Sequence, residues 1–233
     1  MFPTKVCIQL CDAESGLAIV ELLRILLDEE GLSFNQAWII VTQCVNFTKA
    51  SYSRSSPAPS DFWKMSLLRK ILPRHADLIT MIDYLLQRRF PKNDLSRLSR
   101  VAIVLRLSDG SQVVNLDNLC FVGACKVNGT TLEHTNFLRC VFYRELDDLY
   151  PMKLVNVTSG INPRRWLLKA NTALSNLLTD ALGGEEQWHR DLSLLSLINA
   201  RKRDPHFIEE WISVKAKNKI RLARDVPILK ALL

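Results

Sequence analysis

Lys5–Leu10 is a short apolar run that ends on Cys11-Asp12, the pattern of a strand closing on a polar turn. Beyond it apolar residues recur at helical spacing (Leu17, Val20, Leu23, Leu27) until Asp28-Glu29-Glu30-Gly31 supplies a stop. Ser33 with Gln36 three residues on makes a capping box for a second helix, whose apolar face is Phe34, Ala37, Trp38, Val41 and Val45. One strand followed by two helices points to an α/β fold rich in helix. Lys49–Ser60 (KASYSRSSPAPS) reads as a polar loop. A helix is expected over Asp61–Ile71, and Pro73 opens another to about Arg89 with Leu78, Ile79, Ile82, Leu85 and Leu86 facing inward. Val101–Leu107 and Gln112–Val114 flank Ser108-Asp109-Gly110, which predicts a hairpin. Leu116–Val122 fits a strand or a helix equally, and Leu132–Phe142 predicts a helix.

The stretch Val155–Asn171 (VNVTSGINPRRWLLKAN) is the organising junction of the chain. Its β-branched run breaks at Ser159-Gly160, Asn162 offers an N-cap, and Pro163 stands at the first helical position, where its missing N–H costs nothing. Arg164, Arg165 and the apolar turn Trp166-Leu167-Leu168 come next, so the segment reads as a junction between packed layers. Helices are expected over Thr172–Leu182, Trp188–Leu197 and Pro205–Ala223, the last with an apolar face of Phe207, Trp211, Val214 and Ile220.

Composition narrows the function classes. The 233 residues are 48% hydrophobic and 24% charged, enough for one large domain or two small ones. No run of about 18 apolar residues occurs, so no membrane span is expected. The N-terminus MFPTKVCIQL lacks the charged and apolar regions of a secretory signal, which makes the cytoplasm the expected location. Cys7, Cys11, Cys44, Cys120, Cys125 and Cys140 form no C-x-x-C pair and sit in apolar runs. They are expected as buried thiols rather than metal ligands. The net charge of +7 is spread over helical faces with no nucleic-acid motif beside it, so no nucleic-acid partner is expected.

Six segments carry a resemblance: IQL-x-D, LAI-x-EL-x-RIL-x-DEEGL, ILPRH, VNG, INPRRWLL and NKIRLA, in that order along nearly the whole chain. They are similar to the glycogen (α-1,4-glucan) phosphorylases. The resemblance implies part of a B-type glycosyltransferase fold. Residues 1–162 would be the later part of the first Rossmann-like domain, and 163–233 the crossover and helical start of the second. It also implies the family reaction, phosphorolysis of α-1,4-glucan to glucose 1-phosphate with pyridoxal phosphate on a lysine of the second domain. The family's cofactor-lysine context is not found in these residues, so the chain is expected to carry no pyridoxal phosphate and to be inactive alone. The alternative is a non-catalytic protein that binds full-length phosphorylase or glucan.

The family's substrate-touching motifs are altered. Asn-Asp-Thr-His-Pro stands here as Cys11-Asp12-Ala13-Glu14-Ser15, and Thr-Asn-His-Thr as Thr48-Lys49-Ala50-Ser51. Gly-Ser-His-x-Val-Asn-Gly stands as Gly123-Ala124-Cys125-Lys126-Val127-Asn128-Gly129. By the resemblance Asp12, Asn128, Gly129, His134 and Asn171 are the residual sugar-side positions, no residue is catalytic, and Glu14, Ala50 and Cys125 replace histidines. Lys49 and Lys126 are expected to be solvated. Apolar surface is expected to lie open around Trp166, Trp188 and Trp211.

Overall fold

A computed structural model describes residues 2–50, 62–91, 94–184 and 188–226. The chain divides into two units, Met1–Ser159 and Gly160–Leu233. In the first, strand β1 (Ile8–Cys11) leads to helix α1 (Leu17–Arg24), which continues as a π-helical turn over Ile25–Glu29. The helical spacing becomes a buried face of Ile19, Val20, Leu23 and Leu26, and Gly31 at φ +65° turns the chain away. Helix α2 (Phe34–Cys44) opens with the capping box, Ser33 N donating to Gln36 Oε1 at 3.1 Å. Ala37 and Val41 are buried and Phe34 stacks on Trp38, but Val45 has left the helix to begin β2 (Val45–Lys49).

The expected loop at 49–60 and the first residue of the expected helix at 61 lie largely outside the described residues. Phe62–Lys64 is a strand, β3, and helix α3 covers only Met65–Ile71. An aromatic pair suits a strand better than a helical first turn, and Trp63 pairs with Val114 across the ladder. Helix α4 (Pro73–Gln87) buries Leu78, Ile79, Ile82 and Leu86, while Leu85 faces out. Helix α5 (Leu95–Val101) precedes the hairpin β4 (Val104–Arg106) and β5 (Gln112–Asn115), whose turn holds Gly110 at φ +81°. The ambiguous run is helix α6 (Leu116–Gly123) with all eight residues buried, which is why its apolar pattern shows no face. Strand β6 (Val127–Gly129), helix α7 (Leu132–Phe137) with a π-helical extension over Leu138–Phe142, helix α8 (Arg144–Leu149) and strand β7 (Leu154–Asn156) complete the unit.

Four strands form a parallel sheet in the order β1-β2-β6-β7, and β3-β5-β4 form a small antiparallel one. This is the helix-rich α/β fold expected of a partial phosphorylase domain. Two thiols, Cys44 and Cys120, are buried; Cys7, Cys11, Cys125 and Cys140 are exposed, against expectation. Apolar neighbours in sequence do not bury a residue when alternate positions face opposite ways.

In the second unit Asn162 Oδ1 accepts from Arg165 N at 3.2 Å, and a π-helical turn spans Arg164–Lys169. Helix α9 (Thr172–Ala181) follows. A 3-10 helix over Leu192–Arg201, started by Asp191, replaces the helix expected over 188–197. Helix α10 (Pro205–Asp225) buries Phe207 and half-buries Trp211 and Val214, while Ile220 stays exposed. Trp166 is 59% exposed as expected, but Trp188 is wholly buried with Nε1 donating to Thr179 Oγ1 at 2.9 Å. Among the described residues no helix is long and apolar enough to cross a membrane.

Candidate functional site

Parallel sheets gather ligands beyond the carboxyl ends of their strands. Here the register aligns those ends: Cys11 opposite Thr48, Thr48 opposite Asn128, Gly129 opposite Asn156. Asp12 leaves β1 at φ 58° and ψ 163°, a conformation that L-residues avoid at a cost of about 1–3 kcal/mol. Two of its bonds tie it to the end of β2. Its N–H donates to Thr48 O at 3.0 Å, and its Oδ1 accepts from Ala50 N at 3.1 Å. The carboxylate therefore fastens the end of β2 to the end of β1.

A polar chain crosses the same edge. Gln9 Nε2 donates to Thr48 Oγ1 at 2.9 Å, and Thr48 Oγ1 donates to Asn128 Oδ1 at 2.7 Å. Gly129 passes so close beneath Thr135 that a Cβ would collide with its hydroxyl and backbone, so only glycine fits. Thr131 caps α7 by accepting from His134 N at 3.0 Å, which sets the buried His134 ring over this edge with Nδ1 3.3 Å from Thr130 Oγ1. Burial is the main force lowering the His134 pKa, the Lys49 charge adds to it, and the Asp12 carboxylate opposes both. The ring is thus neutral at neutral pH.

The native state consequently resists protonation that the unfolded chain accepts near its ordinary value of 6.5. Stability from this group is complete above that value and is lost as pH falls toward the depressed folded pKa. A His134→Gln variant is expected to lose less stability than the parent across that interval in urea titrations. Parallel curves would show that the ring titrates normally.

Lys49 is not solvated. Its Nζ lies 2.8 Å from Asp117 Oδ2 and both groups are buried, while Tyr143 Oη donates to Asp117 Oδ1 at 3.1 Å. This cluster behind the edge was missed from sequence, although a lone carboxylate in the apolar run Leu116–Val122 was its signal. Glu14 and Ala50 lie exposed at the edge beside Asp12. Cys125 does not join them. Its N–H donates to Val45 O at 2.7 Å, at the start of β2, so the length of that strand (on the order of 3.3 Å per residue) separates it from Ala50. Asp12, Asn128, Gly129 and His134 are thus brought together in the first unit. Asn171 belongs to the second, where its Oδ1 caps α9 through Leu174 N at 3.4 Å and accepts from Asn218 Nδ2 at 2.9 Å.

A family model for carbohydrate phosphorylases matches residues 1–230. The chain belongs to the carbohydrate phosphorylase family. It is 36% identical over 227 residues to the glycogen phosphorylase of Saccharomyces cerevisiae, covering 95% of this chain and 25% of the yeast protein. Identity to the Chlamydia pneumoniae glycogen phosphorylase is 37% over 220 residues, 92% of this chain and 26% of the relative. With the cytosolic alpha-glucan phosphorylase 2 of Arabidopsis thaliana it is 34% over 227 residues, 97% of this chain and 26% of the relative. The chain spans about a quarter of the length of the curated relatives it matches. Within this phosphorylase segment, IQL-x-D is β1 with its strained Asp12, VNG is β6, and NKIRLA lies on α10.

Proposed function

We propose that these 233 residues are phosphorylase framework whose sugar-side edge no longer grips a sugar, so that by themselves they catalyse no phosphorolysis of α-1,4-glucan. The family reaction releases glucose 1-phosphate in glycogen breakdown, and a cytoplasmic setting, as in the cytosolic Arabidopsis relative, belongs to this reading. The observation that supports it is local. Glu14 and Ala50 flank Asp12 where the family pattern carries imidazoles, and the Asp12 carboxylate is engaged with Ala50 N. A methyl group offers a sugar hydroxyl neither donor nor acceptor, and a carboxylate differs from an imidazole in shape and in its donors and acceptors.

The residues at this edge do not fit pyridoxal phosphate. The lysine there, Lys49, is buried as a cation against Asp117, and an amine held in an ion pair is no nucleophile toward an aldehyde. The reading therefore assigns these residues no cofactor of their own. The test is glucose 1-phosphate release by the purified chain from glycogen and phosphate, with pyridoxal phosphate added. No release above the protein-free blank is expected, and release proportional to protein would overturn the reading.

A further inference from the structure

We propose that the first unit holds a binding site for a small amphipathic anion, an acid group joined to a ring-sized apolar body. It lies at the amino-end edge of the parallel sheet, where Arg89, Lys126 and Lys153 border an open cavity that runs into an apolar slot. The cavity has a volume of ≈ 500 Å³, and no carboxylate is among its lining residues. It shares Trp38, Arg89, Val122 and Tyr150 with a neighbouring slot of ≈ 150 Å³, otherwise walled by side chains such as Phe34, Ile82 and Leu86. A slot of about that size has room for a six-membered ring.

The charges argue for the acid group. The Arg89 guanidinium sits 4.7 Å from the Tyr150 ring centroid, and Lys153 Nζ sits 4.5 Å from the same centroid. Lys153 donates to Val122 O at 2.9 Å and Lys126 to Met152 O at 2.8 Å. An ammonium carries three donors, so each keeps more to offer. Among the described residues none of these three basic side chains meets a carboxylate. Like charges gathered without counter-ions repel one another, and an anion placed among them relieves that repulsion through charge-assisted hydrogen bonds.

Lys153 records the imbalance. Burial, with the Arg89 charge added, lowers its pKa to about 7, while Cys125 pulls the other way. The titratable and charged groups facing it are Arg89, Cys125, Lys126 and Tyr150. An anion bound here would return the proton to Lys153. The site lies at the opposite end of β2 and β6 from Asp12 and stands independently of the reading of the sugar-side edge.

Calorimetry on the full chain near pH 8 tests it, with phenyl phosphate, inorganic phosphate and phenol as probes. Phenyl phosphate should bind saturably at one site, at least about tenfold more tightly than either fragment, because only it fills both spaces. Binding should take up protons, read from buffers of different ionisation enthalpy, and Lys153→Met should abolish the uptake. Arg89→Met should weaken binding about tenfold or more. Exposed Lys126→Met, measured beside it, supplies a second loss should Arg89→Met not fold. No saturable binding of phenyl phosphate would overturn the proposal, as would phosphate or phenol binding equally tightly, or unchanged affinity in both cation variants.

Discussion

Asp117→Ala is expected to cost the first unit about 3–5 kcal/mol, because it leaves the Lys49 ammonium buried without its carboxylate. Lys49 is 4% exposed and Asp117 is fully buried, so water cannot substitute for the lost partner. Tyr143 Oη also loses the acceptor it holds at 3.1 Å. The double variant Lys49→Met with Asp117→Leu removes both charges and keeps apolar volume. It should therefore recover most of the loss, since buried pairs replaced by apolar groups are often neutral or stabilising by about 1–4 kcal/mol. Urea midpoints at constant m-value decide the matter. A single variant that loses under about 1 kcal/mol would mean that the ion pair is dispensable.

The second large effect is catalytic and requires an active host. Replacing the aligned segment of the yeast glycogen phosphorylase with this chain should leave an enzyme that folds but turns over slowly. Two changes act at the edge. Glu14 puts a carboxylate where the family pattern has an imidazole, and Ala50 removes a hydrogen-bonding side chain altogether. Each such loss is worth about 1–3 kcal/mol where its mate is left unpaired. The two together predict a rate lowered roughly 30-fold to 25,000-fold. Cys125 adds nothing to that sum, because β2 separates it from the edge. Thermal melting of the chimera beside its host separates a slow enzyme from a misfolded one.

Much of the fold was readable in the sequence because its periodic segments are amphipathic. The face of α4, the Ser33 capping box and the Ser108-Asp109-Gly110 turn appear where pattern placed them, apart from Leu85, while α1 buries Ile19 and Leu26 and leaves the expected Leu17 and Leu27 half-buried. Pattern failed where burial or tertiary pairing decides. Leu116–Gly123 is buried on every side and has no face to reveal. Phe62–Lys64 is a strand only because β5 lies beside it. Trp188 is covered because Thr179 lies within reach of its indole N–H, a pairing that no local spacing announces. At the candidate site, the structure puts Asp12, Asn128, Gly129 and His134 at one edge, Asn171 in the other unit and Cys125 at the far end of β2, and adjacency in a motif does not say which end of a strand a residue occupies. The Lys49–Asp117 pair was hidden for the same reason: its members stand far apart in sequence and meet only through packing.

The central claim is that an intact framework carries a sugar-side edge altered at two positions. The measurement that tests it most directly is the turnover of the yeast chimera before and after Glu14→His with Ala50→His, at saturating glycogen and phosphate. The account predicts that the repaired chimera outpaces the unrepaired one by about tenfold or more. An unrepaired chimera running at the speed of its yeast host would contradict it, and positions 14 and 50 would then be tolerated substitutions in a working phosphorylase segment.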